Sequence, residues 1–231
     1  QPFSKTGGLA DVATALPKAL GRLGHEVTLV TPRYRGISAG TTAGRVSIEM
    51  AGRRFTADIF EEPIGPLARV LMLDCPELYD RPGIYYDAFG DYADNAVRYA
   101  FLAAAGIDWA IDQSDPFDII HAHDWQAGLA AVYARRLRAY PRPPAPSHPR
   151  TPAPSHPRTI FTIHNLAYQG VFDKGWVPRL GLDWQDFTIG GFEFFDRLSF
   201  LKAGINFSDV ITTVRDRKST RLNFSHVSES R

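Results

Sequence analysis

DIIHAHDWQAGLAAVYARRL, residues 118–137, decides how the rest of the chain is read. Asp118-Ile119-Ile120 is a short β-forming run whose end carries His121-Ala122-His123-Asp124, and the apolar spacing from about Trp125 to Leu137 then turns helical. A strand that ends on polar, chemically able side chains and passes straight into a helix is half of a βαβ unit. The same grammar recurs downstream, where Thr159–Ile163 is a strand ending on His164-Asn165. Upstream, Leu9, Val12, Ala13, Leu16, Leu20 and Leu23 recur at helical spacing, Pro17 is expected to kink that helix or distort it, and Gly24 supplies a stop. Val27–Val30 follows as a buried strand ended by Pro32. Val46–Met50, Phe55–Phe60 and Arg69–Leu73 read as strands, Asp91–Ile111 as a helix, Phe192–Phe207 as a helix and Val210–Val214 as the last strand.

Strands alternating with helices, several of them continuous apolar runs, predict an α/β fold with a largely parallel, Rossmann-like sheet covered on both faces. In such sheets ligands sit in the crevice beyond the carboxyl ends of the strands, which is where HAHD and HN fall.

Bulk properties bound the function classes. Hydrophobic residues make up 44% and charged residues 22%, as in an ordinary globular protein. A net charge of +1 gives no reason to expect nucleic acid or an anionic membrane as partner. Cys75 is the single cysteine, so no intramolecular disulfide forms, which fits a reducing, cytoplasmic setting. The longest apolar stretches, Phe101–Ala105 and Gly128–Val132, are far too short to span a bilayer. The chain opens Gln1-Pro2-Phe3 with neither initiator Met nor signal pattern and reads as starting within a longer protein.

Two segments do not fit. Pro144–Thr151 (PAPSHPRT) is repeated letter for letter as Pro152–Thr159, and prolines at that density predict an extended surface loop over about 141–158, read as a tolerated duplication rather than a partner-binding arm. Arg215–Arg231 is basic, Ser-rich and aperiodic, and is expected to be a poorly packed tail.

Each chemically able motif has two readings. Lys5-Thr6-Gly7-Gly8-Leu9-Ala10-Asp11 precedes a helix, so close backbone approach and free N–H groups suit anionic oxygens, but a glycine turn beside a surface lysine reads equally well. It matches neither GxxxxGK[ST] nor GxGxxG, which disfavours a nicotinamide-dependent oxidoreductase. His121 and His123 have the spacing of metal ligands in a hydrolase. Alternatively, the histidines and Asp124 bond sugar hydroxyls with Trp125 as an apolar platform, or Asp124 simply caps the next helix. Only His164 offers a third metal ligand, so a metal site is not expected. His164-Asn165 is either structural or orients a sugar hydroxyl. Tyr79–Asp87, YDRPGIYYD, is an aromatic, polar loop of the kind that lines carbohydrate sites.

Taken together, PFSKTGGLADVATALPKAL, GHEVTLVTPRY, YDRPGIYY, DIIHAHDWQAGL, FTIHNLAYQGVF and FLKAGINFSDVITTV, in that order over about residues 2–214, closely resemble the bacterial glycogen synthase and plant starch synthase family. The resemblance implies the amino-terminal half of a two-domain GT-B glucosyltransferase. Such an enzyme moves glucose from a nucleotide sugar, ADP-glucose, to the non-reducing end of an α-1,4-glucan, with retention and without metal or other cofactor. It implies that Lys5, Gly7, Gly8 and Asp11 contact the donor. Asp124, His164 and Asn165 match active-site positions, His164 bonding a hydroxyl of the transferred glucose, and Tyr85 or Tyr86 matches the aromatic near the nucleotide sugar. The family's first strand and second domain have no counterpart in the sequence, and a missing first strand is expected to leave an exposed sheet edge or gap. Residues 1–214 are accordingly read as the Rossmann-like domain and 215–231 as out-of-family. The fragment alone is expected to be inactive, the alternatives being an α-glucan-binding remnant and a metal-dependent hydrolase.

Overall fold

In the first sheet, turn length dictates strand direction. The computed structural model describes residues 8–113, 117–139 and 157–214, so Lys5, Gly7, the proline repeat up to residue 156 and the 215–231 tail lie outside the described residues. Helix α1 (Gly8–Arg22) runs through Pro17, which is buried, and ends before Gly24, whose φ of +91° is a left-handed conformation that glycine accepts freely. Strands β1 (Val27–Pro32), β2 (Thr41–Met50), β3 (Arg53–Gly65) and β4 (Ala68–Asp74) form a sheet in the order β1-β4-β3-β2. Only the β1–β4 ladder is parallel; β2–β3 and β3–β4 are antiparallel. The largely parallel sheet expected from the sequence is corrected here. Two-residue connections at Ala51-Gly52 (φ +54° and +76°) and Pro66-Leu67 can join only antiparallel strands, since parallel pairing needs a long crossover. Helix α1 packs on β1, β3 and β4, its Gly21 lying so close to the carbonyl of Pro66 that no Cβ would fit.

The next segment was expected to enter a helix at Asp91. Instead a short helix α2 (Pro76–Tyr79) leads into a hairpin of β5 (Tyr86–Asp87) and β6 (Gly90–Asp91), and helix α3 begins at Asn95 and ends at Ile111. Its buried residues include Ala96, Val97, Ala100, Phe101 and Ala104. Arg98 is also fully buried there. It donates to the carbonyls of Leu78 (2.7 Å) and Ile84 (2.8 Å) and to Asn95 Oδ1 (2.6 Å), fastening the Tyr79–Tyr86 loop from both ends.

The second sheet is the parallel one. Strand β7 (Ile119–His123) runs through the two histidines rather than stopping before them. The helix expected from Trp125 to Leu137 is broken into a 3-10 turn, Trp125–Ala127, and helix α4 (Ala130–Ala139). The break falls at Gly128, against which the carbonyl of Phe200 packs too closely for any side chain. Strand β8 (Arg158–Ile163) is followed by β9 (Val171–Asp173), a short helix α5 (Trp176–Arg179), β10 (Glu193–Phe194), β11 (Arg197–Ser199), helix α6 (Phe200–Phe207) and β12 (Val210–Thr213). The predicted helix over 192–207 is thus half hairpin. Phe195 and Asp196 both take positive φ (51° and 60°), the geometry of a two-residue turn, and the helix starts only where Ser199 Oγ accepts from the Lys202 amide at 3.2 Å.

Strands β12, β8 and β7 pair parallel in that order, while β9, β10 and β11 form a small antiparallel sheet. Buried Ala122 and Phe161 face α4 and α6, and residues of both larger sheets share one hydrophobic core with α3 at its centre. Among the described residues, β1 and β7 are edge strands, each paired on one side only.

Candidate active site at the carboxyl ends of β7 and β8

Strands β7 and β8 of the parallel sheet end side by side, with His123 in register with Thr162. The amide of Asp124 donates to the Thr162 carbonyl (2.9 Å), and the chain then turns sharply, leaving Asp124 at φ 59°, ψ 179°. That region belongs essentially to glycine and costs a residue with a Cβ on the order of 1–3 kcal/mol. Asp124 is buried (6% exposed), and its Oδ1 has no hydrogen-bond partner among the described residues. Burial pushes its carboxyl above the usual range, opposed by the neighbouring His164 and by the backbone amides of Asn165, His164 and Trp125. Although it precedes the 3-10 turn, its side chain does not cap it, so the capping role is not realised. Asp124 thus combines a strained backbone with a buried carboxyl whose Oδ1 is unpartnered among the described residues.

His164 follows β8 and meets His123, with His123 Nδ1 and His164 Nε2 3.0 Å apart. His121 stacks on His123 at 4.1 Å and hydrogen-bonds Thr162 Oγ1 through Nε2 at 2.6 Å. Burial lowers the proton affinity of all three rings, and for His123 burial with His121 and His164 nearby brings the pKa down to about 3. At neutral pH the cluster is therefore uncharged, and its nitrogens engage one another and a hydroxyl. Among the described residues no group of three or more His, Cys, Asp or Glu is placed to hold a metal ion. The hydrolase alternative built on His121 and His123 finds no ligand set there.

The other predicted positions divide. Asn165 is exposed, and its Oδ1 accepts from the Ala167 amide (2.9 Å), shaping the turn after His164. Trp125 is corrected: its ring is 9% exposed, packed among Tyr85, Tyr99 and Phe172 with Gly170 pressed against it, so it has no open face for a sugar. Of the two tyrosines, Tyr85 is brought to the site by a hydrogen bond from Gln126 Nε2 (2.8 Å), whereas Tyr86 is 61% exposed in the β5–β6 hairpin. Gly8 and Asp11 occupy the first turn of α1, Asp11 exposed; Lys5 and Gly7 lie outside the described residues.

Gln126 was not foreseen. Its Oε1 is buried with no partner among the described residues, a second such acceptor two positions after Asp124. Nothing in its spacing marks it; only adjacency to Asp124 would have drawn attention.

A family model described as starch synthase catalytic domain matches residues 1–220. The glycogen synthase of Anaeromyxobacter dehalogenans (strain 2CP-C) is 43% identical over 217 residues, covering 92% of this chain and 43% of that protein. The glycogen synthase of Koribacter versatilis (strain Ellin345) is 37% identical over 224 residues, covering 96% and 44%. Among solved structures, the catalytic domain of starch synthase IV from Arabidopsis thaliana bound to ADP and acarbose superposes with a TM-score of 0.72 at 26% identity, covering 92% of this chain and 42% of that one. The chain spans less than half the length of the curated relatives it matches. With a match running from residue 1 to residue 220 and an α/β fold shared with a solved member, the chain belongs to the starch synthase catalytic domain family.

Proposed function

We propose that this chain forms the amino-terminal, sugar-contacting part of a glucosyltransferase of glycogen or starch synthesis, moving glucose from ADP-glucose to the non-reducing end of an α-1,4-glucan with retention. The observation that carries the reading is Asp124: buried, held at a glycine-like backbone angle, with an unpartnered oxygen beside His164 at the carboxyl edge of a parallel sheet. A buried acceptor without a donor is costly, and a sugar hydroxyl supplies that donor. The relatives are glycogen synthases, and the starch synthase IV structure was solved with ADP and acarbose, a nucleotide and a sugar-like ligand.

In this reading the chain's residues bind and orient. Neutral His164 bonds a hydroxyl of the transferred glucose, Asp124 Oδ1 accepts from a second hydroxyl, and Tyr85 borders the donor. Lys5, Gly7, Gly8 and Asp11 flank the start of α1, where free backbone N–H groups favour phosphate oxygens. The nucleoside diphosphate is the leaving group, so no cofactor is called for. Residues 1–214 form the Rossmann-like domain, one half of a GT-B pair, with 215–231 outside it; β1 and β7, each paired on one side only among the described residues, agree with a sheet that takes another strand. A cytoplasmic setting is consistent with the single cysteine, and no described helix is long and apolar enough to cross a membrane.

Because the chain covers under half of its relatives' length, it is expected to bind glucan by itself and to turn over only with the remaining length they carry. Calorimetric titration of the chain with a maltooligosaccharide, and transfer of labelled glucose by the family-length protein, test both statements. Asp124→Asn should weaken the first and lower kcat/KM of the second by roughly 10- to 100-fold, the worth of one charged hydrogen bond. Unchanged binding and unchanged kcat/KM in that variant would sink the reading.

A further inference from the structure

The polar face of the β12-β8-β7 sheet carries a connected path of side chains. Thr212 Oγ1 and Thr162 Oγ1 are 2.6 Å apart, Thr162 Oγ1 bonds His121 Nε2 at 2.6 Å, His121 stacks on His123 with ring planes 28° apart, and His123 Nδ1 reaches His164 Nε2 at 3.0 Å. His123, Thr162 and Thr212 are register neighbours on adjacent strands, so the sheet itself sets their spacing. The proposed sugar contact of His164 accounts for only the last member of this path.

We infer that His123 is a positioning residue for His164: its Nδ1 lone pair accepts the Nε2 proton of His164, which fixes that ring and leaves His164 Nδ1 as the nitrogen for a sugar hydroxyl. The inference rests on the proposal that His164 contacts the glucose, and deepens it. Two facing imidazole nitrogens at 3.0 Å share one proton, and the surroundings decide which ring owns it. The groups facing the pair are His121 on β7, Asp124 in the turn after it, Thr162 on β8 and, through Thr162, Thr212 on β12. The Asp124 carboxyl favours a proton on His164. The charges acting on His123 among the described residues are those of His121 and His164, which with its burial disfavour a proton on it, so it keeps a bare Nδ1. Stacking on His121, itself tied to Thr162, holds the plane of His123 and thereby the direction of its lone pair. A supporting group that fixes tautomer and aim is the usual partner of a functional histidine; here an imidazole takes the place more often filled by a carboxylate or carbonyl.

Imidazole nitrogen resonances of the ¹⁵N-labelled 231-residue chain test this without reading turnover, so loss of the glucosyltransferase reading and loss of this one are separate results. At pH 7, His164 should be protonated at Nε2 and bare at Nδ1, with a scalar coupling across the hydrogen bond to His123 Nδ1. In His123→Phe, which keeps a stacking ring but no acceptor, the slowly exchanging Nε2–H resonance of His164 should be lost. His123→Asn, whose side-chain oxygen stands near the position of Nδ1, should retain it. A His164 protonated at Nδ1, a missing coupling in the wild-type chain, or a resonance that survives in His123→Phe would overturn the assignment. Should His123→Phe not fold, the wild-type coupling and tautomer decide alone.

Discussion

Asp124 concentrates two costs in one residue: a left-handed φ with extended ψ, and a buried carboxyl whose Oδ1 has no partner. Amides of Trp125, His164 and Asn165 bond its carboxyl to the fold, whereas Oδ1 meets no donor among the described residues. Asp124→Asn leaves the backbone requirement unchanged and removes a charge that burial disfavours. The variant is therefore expected to be at least as stable as the wild type while binding glucan more weakly; a urea midpoint clearly below wild type would contradict this. The histidine cluster makes a pH prediction of definite sign. His123 has a pKa of about 3 in the folded chain against about 6.5 unfolded, so the unfolded state binds more protons wherever the pH lies between those values. Stability is full above pH 6.5 and falls as pH drops through that window, by up to about 1.4 kcal/mol per pH unit for this group alone. His121 and His164, also lowered, act in the same sense, while Asp124, with a raised pKa, opposes them toward the acid end. Urea midpoints at pH 7 and pH 5 measure the slope, which should flatten in His123→Phe; a flat wild-type profile over that interval would remove the neutral-cluster description.

Between elements, close approach matters more than propensity. A Cβ on Gly204 would lie 2.5 Å from the Phe161 ring, where α6 rests on β8. Alanine is the better helix former by about 1 kcal/mol, whereas overpacking a filled core costs about 1–3 kcal/mol. Both Cε2 and Cζ of Phe161, whose ring is fully buried, stand in the way, so the steric effect should win and Gly204→Ala should lower stability by on the order of 1–2 kcal/mol. A thermal scan showing the variant more stable would mean that α6 shifts freely on the sheet. Arg98 is the matching polar case. Replacing it with Met removes the donors to Leu78, Ile84 and Asn95 and strands the Leu78 carbonyl, while Ile84 keeps the Tyr99 hydroxyl as donor (3.1 Å), at a cost of roughly 1–3 kcal/mol. Because the loop it fastens carries Tyr85, which Gln126 holds beside the site, protease sensitivity around residues 79–87 should rise together with weaker glucan binding. Weakened stability with an unchanged cleavage pattern would confine Arg98 to the core.

At the scale of the whole molecule, the mixed sheet and the parallel sheet are separate hydrogen-bonded units with one apolar interior. Ile48, Phe55 and Ile59 of the first and Ala122 and Phe161 of the second belong to a single buried cluster, with α3 between them. Neither sheet can lose its packing without uncovering the other, so unfolding should be one cooperative event with coincident near- and far-ultraviolet transitions. Two resolved transitions would show that the sheets unfold independently despite the shared core.

What the sequence determined by itself was whatever has a local cause. The helical spacing from Leu9 to Leu20, the runs at Val27, Phe55, Arg69, Ile119, Thr159 and Val210, and the placing of HAHD and HN at strand ends all follow from side-chain periodicity and β-branching, and six motifs in order carried the family. What only the tertiary structure decided has a cause far away in the chain. Phe192–Phe207 carries enough apolar residues for a helix, yet tight turning at Phe195-Asp196 lets β11 pair antiparallel with β9, whose residues lie roughly 25 positions earlier in the chain. Trp125 looked like a sugar platform because aromatic type and position are visible in a sequence and burial is not; Gly170 and Phe172 cover it from another element. The strain at Asp124, the orphaned Gln126 oxygen and the hydrogen bond between His123 and His164 likewise depend on two strands ending side by side, a relation made by hydrogen bonds between residues about forty positions apart, as in |i−j| = 41 for the histidine pair. Periodicity records which face of an element is buried; it holds no record of what that face meets, and the chemistry of this site is made at such meetings.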